Sequence, residues 1–155
     1  MSYKILLLKP NIAVRKGFQL QSKKSPPVGL AYLASSLLEA GFDVKIIDMV
    51  VEADDSWPYR NTHVCYGMPD VELLKKIAEF QPDLIGIGGF TTQYSRIKEI
   101  CELIKKHYSN INIVVGGVHA TVMPEHVLKT TEADFILRGE GEKSIVDLVK
   151  ALATN

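Results

Sequence analysis

Ile113-Val114-Val115-Gly116-Gly117-Val118-His119-Ala120-Thr121 is an apolar, β-branched run that stops on two glycines. Phe135-Ile136-Leu137-Arg138-Gly139-Glu140-Gly141-Glu142 repeats the arrangement a little further on. Each reads as a short strand covered on both faces that runs directly into a glycine-bearing loop. In an open parallel sheet, ligands bind outside the carboxyl ends of the strands. Glycine there lets backbone approach a ligand, because no Cβ intervenes. Two such loops, one strand apart, point to a broad, flat ligand.

Working outward, strand-type and helix-type patterns alternate. Tyr3 to Leu8 holds a continuous apolar run after a lysine, the mark of a strand buried on both sides. Leu30, Leu33, Ala34, Leu37 and Leu38 form a helical stripe, with Pro26-Pro27 before it and Gly41 after it as start and stop signals. Val44 to Ile47 is the second strand, ending at Asp48. Met49 to Pro69 has no clear period and reads as a long loop, a length that in compact domains is functional or disordered. Asp70 is placed to cap a helix carrying Val71, Leu74, Ile77 and Ala78, which Pro82 closes. Leu84 to Gly88 is the third strand, and Ile97, Ile100, Cys101 and Ile104 mark the third helix. Ile111 to Val115 and Ala133 to Leu137 are the last strands, separated by a short helix after Pro124. Ile145, Leu148, Val149 and Leu152 line the final helix. Five strands alternating with five helices predict a parallel sheet with helices on both faces and right-handed crossovers.

The 155 residues suit one domain, residues 1–155, with ample apolar content for a core. Lys plus Arg and Asp plus Glu both number 18, so no global basic field favours nucleic acid or an anionic membrane. Arg15, Lys16, Lys23 and Lys24 crowd one segment, which reads as a solvated loop. Cys65 and Cys101 are far apart and lack metal-ligand spacing; Cys101 falls on an apolar stripe as a small core residue. No segment reaches the length of a membrane span. The chain enters a strand at once, which reads as no signal peptide and a cytoplasmic protein, where disulfides are disfavoured.

The strand ends bring together Lys9-Pro10-Asn11, Gly88-Gly89-Phe90-Thr91-Thr92-Gln93, Gly116 to Thr121 and Gly139-Glu140-Gly141-Glu142. Hydroxyls, amides and exposed backbone N–H groups predominate, which suits a ligand rich in amides or phosphate. No nucleophile–base pair is present, so the edge reads as a binding surface with no catalytic residue. A bulky residue at Gly117 is accordingly expected to block binding and spare the fold. Each feature has a plainer reading. Gly116-Gly117 can serve a tight turn, and Thr91 and Thr92 can cap the third helix. His119 can bond a neighbouring carbonyl, while Glu140 and Glu142 can favour the last helix through its dipole. Convergence on one edge argues for function.

Other features carry less. His63, Cys65 and Asp54-Asp55 lack the spacing of a metal site. Trp57 and Tyr59 are expected to pin the long loop to the core. No G-x-x-x-x-G-K-[ST] run exists, which excludes a P-loop, and Gly86 to Gly89 lacks the third glycine of a dinucleotide fingerprint.

Taken in order, Pro26-Pro27-Val28-Gly29-Leu30-Ala31-Tyr32-Leu33-Ala34, Gly41-Phe42-Asp43-Val44 with Asp48, Pro82-Asp83-Leu84-Ile85-Gly86-Ile87, Gly116 to Thr121 and Gly139 to Glu142 form a series. The series resembles the N-terminal cobalamin (B12)-binding domain of B12-dependent radical S-adenosylmethionine enzymes, over nearly the whole chain. The resemblance implies a flavodoxin-like, Rossmann-type, doubly wound five-stranded parallel sheet of order 2-1-3-4-5. It implies cobalamin across the carboxyl edge, its nucleotide tail reaching into the domain. The implied cofactor contacts are Asn11, Gly89, Thr91, Thr92, Gly116, Gly117, His119, Thr121, Gly139 and Glu140. It further implies a radical S-adenosylmethionine catalytic domain as partner, in cis or in trans.

Two departures from related patterns matter. None of His63, His107, His119 or His126 follows an aspartate by two residues, so the D-x-H-x-x-G source of a lower axial histidine is missing. The resemblance then implies cobalt with no protein histidine below it, covered by a side chain from Phe90 to Tyr94. The C-x-x-x-C-x-x-C motif is also missing, because the chain has only two cysteines. The iron–sulfur cluster and S-adenosylmethionine therefore belong to a domain outside this chain, which by itself is not expected to be an enzyme. Two other readings stay open: a cofactor-free flavodoxin-like docking or regulatory domain, and a flavin- or nucleotide-binding protein. A receiver-type regulator fits poorly, since Gly88-Gly89 stands where a phosphoacceptor aspartate is needed.

Overall fold

A computed structural model describes residues 3–18, 25–53 and 55–154. Lys23, Lys24 and Asp54, named above, lie outside the described residues. In chain order the elements are β1 (Lys4–Lys9), β2 (Ile12–Arg15), α1 (Val28–Glu39), β3 (Asp43–Asp48), β4 (Ser56–Tyr59), β5 (His63–Tyr66) and α2 (Asp70–Phe80). They continue with β6 (Leu84–Gly88), a 3-10 turn (Thr91–Gln93), α3 (Tyr94–His107), β7 (Asn112–Gly116), α4 (Val118–Val122), α5 (Pro124–Thr130), β8 (Phe135–Ile136) and α6 (Glu142–Ala153).

The main sheet has the order β3-β1-β6-β7-β8, and every neighbouring pair is parallel. Counting only its own strands, that is the expected flavodoxin-like order 2-1-3-4-5. Successive side chains on a strand point to opposite faces, so β1 divides its run between two cores. Ile5 and Leu7 meet Leu30 and Leu37 of α1 and Ile145 and Val149 of α6. Leu6 and Leu8 meet Leu73 and Ile77 of α2 and Ile100 and Ile104 of α3. All four strand residues are fully buried, each stabilising the fold by roughly 1.5–3 kcal/mol.

The signals bounding α1 act as read. It begins directly after Pro27 and ends in a Schellman arrangement. Gly41 has φ +87°, its N–H donates to Leu38 O, and the Phe42 N–H donates to Leu37 O. Asp70 differs from expectation. It is the first residue of α2 and makes no side-chain cap, because its carboxylate accepts from Arg96 Nη2 at 2.5 Å instead.

The stretch read as a loop from Met49 to Pro69 holds β4 and β5. These pair antiparallel and take β2 as a third strand, in the order β2-β5-β4. Pro58 sits in β4, an edge of this sheet, where its missing N–H costs least. Val118 to Val122 forms α4, so Gly117 alone separates the end of β7 from the helix. Among the described residues no helix is long and apolar enough to cross a membrane.

Candidate functional site

A cleft of about 720 Å³ opens at the carboxyl ends of β1, β6 and β7. It continues down the face of the sheet that α1 and α6 cover. Leu7, Gly86, Val114 and Ile145 form its floor, and the first turns of α1 and α6 form its sides. Gly86 sets the depth. A Cβ there would stand 2.8 Å from Leu7 Cδ2 and 3.6 Å from Val114 Cγ1. At Gly29 and Gly139 an added Cβ would meet nothing within 4 Å. The interior is thus apolar, while the rim carries Lys9, Thr92, Glu140 and glycine backbone, the combination of apolar body and few polar groups common in ligand sites.

Of the ten contacts implied by the resemblance, Gly89, Thr92, Gly116, Gly117, Gly139 and Glu140 line this cleft. Thr91 is exposed in the 3-10 turn and off the wall. Thr121 works behind the wall: its Oγ1 donates to Gly117 O and accepts the Gly139 N–H, each at 2.9 Å. That hydroxyl straps the two glycine loops together. His119 turns away from the cleft. Its ring packs 4.5 Å from that of Tyr94 and 6.1 Å from that of His126, centroid to centroid.

Asn11 corrects an expectation most clearly. It is fully buried, and its side chain faces the small sheet. Its amide donates to Met68 O at 2.9 Å, and its Oδ1 accepts from Arg96 Nε at 2.8 Å. Arg96 also reaches Glu99 and Asp70, and Glu99 accepts from the Tyr59 hydroxyl at 2.6 Å. The pinning expected of Tyr59 is this bond. Burial pushes the Glu99 carboxyl up, but hydrogen bonds from Tyr59, Arg60 and Arg96 outweigh it and hold the group below its ordinary pKa. A buried guanidinium survives desolvation only with such partners. Asn11→Ala removes one of them, so it should lower stability by about 1–3 kcal/mol and leave ligand affinity unchanged. Urea unfolding beside ligand titration checks both halves; lost affinity with retained stability would return Asn11 to the cleft.

Gly117 also differs from expectation. It has φ +97°, and a Cβ would lie 2.6 Å from Gly89 O. It seats the β7 loop on the β6 loop, so a bulky residue there strains the fold as well as the rim. Gln93 performs a related task that residue type alone did not reveal. Its Oε1 accepts the Phe90 N–H at 3.1 Å, and its Nε2 donates to Pro10 O at 3.0 Å, fastening the β6 loop to the end of β1.

Neither cysteine lines the cleft. Burial pushes the Cys65 thiol up to about 11 and the Cys101 thiol up to about 12, so both stay protonated at neutral pH and are not nucleophiles. Among the described residues no group of three or more His, Cys, Asp or Glu side chains is arranged to hold a metal.

Comparison with known proteins places this geometry. A family model described as the B12 binding domain matches residues 22–149. An uncharacterized methyltransferase of Pyrococcus horikoshii, PH0819, is 33% identical over 150 residues, covering 96% of this chain and 29% of that protein. The cobalamin-dependent radical SAM methyltransferase TokK of Streptomyces tokunonensis is 27% identical over 70 residues, covering 44% of this chain and 10% of that protein. The crystal structure of a cobalamin-binding protein from Desulfitobacterium hafniense DCB-2 superposes with a TM-score of 0.63 at 17% identity, over 99% of this chain and 58% of that one. The chain spans less than a third of the length of the curated relatives it matches first.

Proposed function

Because this chain belongs to the B12-binding domain family, we propose that it is a single cobalamin-holding module serving a radical S-adenosylmethionine catalytic domain. One observation carries the reading. The cleft runs from the carboxyl edge of the sheet down beneath α1 and α6, floored by Gly86 and open at Gly29 and Gly139. A ligand with a wide amide-rimmed disc and a slender tail fits that form. The rim loops with Thr92, Gly116, Gly139 and Glu140 would hold the disc, and Leu7, Gly86, Val114 and Ile145 would line the way for the tail.

Bound cobalamin supplies a cobalt centre able to carry a methyl group or change redox state. This chain's residues supply placement and exclusion of water. No histidine lines the cleft among the described residues, so backbone, hydroxyl and apolar groups of this wall would hold the cofactor. Phe90, 64% exposed, lines the mouth together with Thr92 and Gln93 of the same segment. The name of TokK and the length of the relatives support a catalytic partner that holds the iron–sulfur cluster.

The test is direct. The chain is mixed with excess hydroxocobalamin, desalted and read by its visible spectrum, with FMN and NAD in parallel thermal melts. Retained corrin absorption is expected, with a higher Tm, since ligand at a hundred times Kd adds about 2.7 kcal/mol. A colourless sample stabilised by FMN or NAD would replace cobalamin with that ligand. His119→Ala should leave the bound corrin's spectrum unchanged; an altered spectrum would make His119 a ligand after all.

A further inference from the structure

The cleft wall carries one cationic side chain among the described residues, Lys9 at the end of β1. Its ammonium is aimed. It donates to Asp48 Oδ2 at 2.9 Å and to Ser25 O at 2.8 Å, and its side chain is 17% exposed. Asp48 is itself fixed, accepting the Val50 N–H at 3.0 Å. An ammonium has three N–H donors, so these bonds leave one for a ligand, already held in place. The acidic residues of the wall, Glu140 and Glu142, stand beyond β8. Three strand spacings separate β8 from β1 in the sheet, about 14 Å at roughly 4.8 Å each. An anionic group of a bound ligand is therefore repelled at one end of the strand row and met at the other.

We infer that Lys9 recognises the phosphodiester of the cofactor's nucleotide tail, an assignment that rests on the cobalamin reading. Lys9 sits where β1 meets the segment entering α1, and α1's first turn holds no acidic side chain to compete for it. Its bond to a phosphate oxygen is charge-assisted on both sides. The Asp48 partner does not cancel the role: its 2.9 Å bond holds the ammonium in place.

Cobinamide, which lacks the phosphodiester and nucleotide, separates this role from general support of the cleft. Affinities of hydroxocobalamin and cobinamide are measured by spectral titration of the 155-residue chain and of Lys9→Met, Lys9→Arg and Lys9→Met/Asp48→Asn. Lys9→Met is expected to weaken cobalamin about tenfold and leave cobinamide within twofold. Lys9→Arg should recover most of the loss. The double variant removes the nearly buried carboxylate left unpaired by Lys9→Met, so it gives the same result if the single variant folds poorly. Equal loss for both ligands, or no loss for either, would overturn the assignment. Wild-type protein that binds neither ligand overturns the cofactor reading, and the assignment with it.

Discussion

Phenylalanine at position 29 is expected to abolish cobalamin uptake and leave the protein at least as stable as before. Gly29 lies in the first turn of α1 and on the cleft wall, and an added Cβ there meets nothing within 4 Å. The space into which the ring extends is the cleft itself. Helix propensity favours phenylalanine over glycine by a few tenths of a kcal/mol, worth about 1 °C in Tm for a chain of this length. Filling the cleft should weaken binding by more than about a hundredfold, or 2.7 kcal/mol. Spectral titration and calorimetry on Gly29→Phe read the two quantities separately. Unchanged affinity would mean that the ligand does not enter beside α1, and the cofactor site would have to be sought elsewhere.

The opposite outcome is expected one loop away. Gly117→Ala should lower stability by roughly 3 kcal/mol, through a backbone conformation that costs an L-residue about 1–3 kcal/mol and a clash added to it. With φ +97° and a Cβ 2.6 Å from Gly89 O, alanine cannot be seated unless the β6 and β7 loops part. Tm should fall by about 6–12 °C. Affinity should weaken as a consequence, since both loops line the cleft. A variant that melts within a degree of wild type would show that the two loops are not held in contact.

These two glycines show what could and could not be read from residue order. β1, β6 and β7 were legible because buried strands leave apolar runs between start and stop residues, and β3 from Val44, Ile46 and Ile47 between Gly41 and Asp48. β2, β4 and β5 were not. Each has four residues, β4 contains Pro58, and the pairing of Ile12 with Tyr66 joins segments far apart in the chain. The cleft's rim was legible too, because glycines following the strands mark where the backbone turns open. The floor was hidden: Leu7, Gly86 and Ile145 have the composition of any core, and only packing shows that space was left above them. Asn11 misled for the converse reason. An amide after a strand suggests a contact, yet its partner Arg96 comes from a helix that residue order does not place beside it.

The floor also dictates an order of assembly. Leu7 belongs to β1 and Ile145 to α6, so the pocket has no second side until α6 has been synthesised. A nascent chain stalled before α6 would present an open apolar trough, and the vitamin would have nothing to grip. Loading would therefore follow the docking of α6 onto the sheet, and a molecule seated there would clasp β1 to α6.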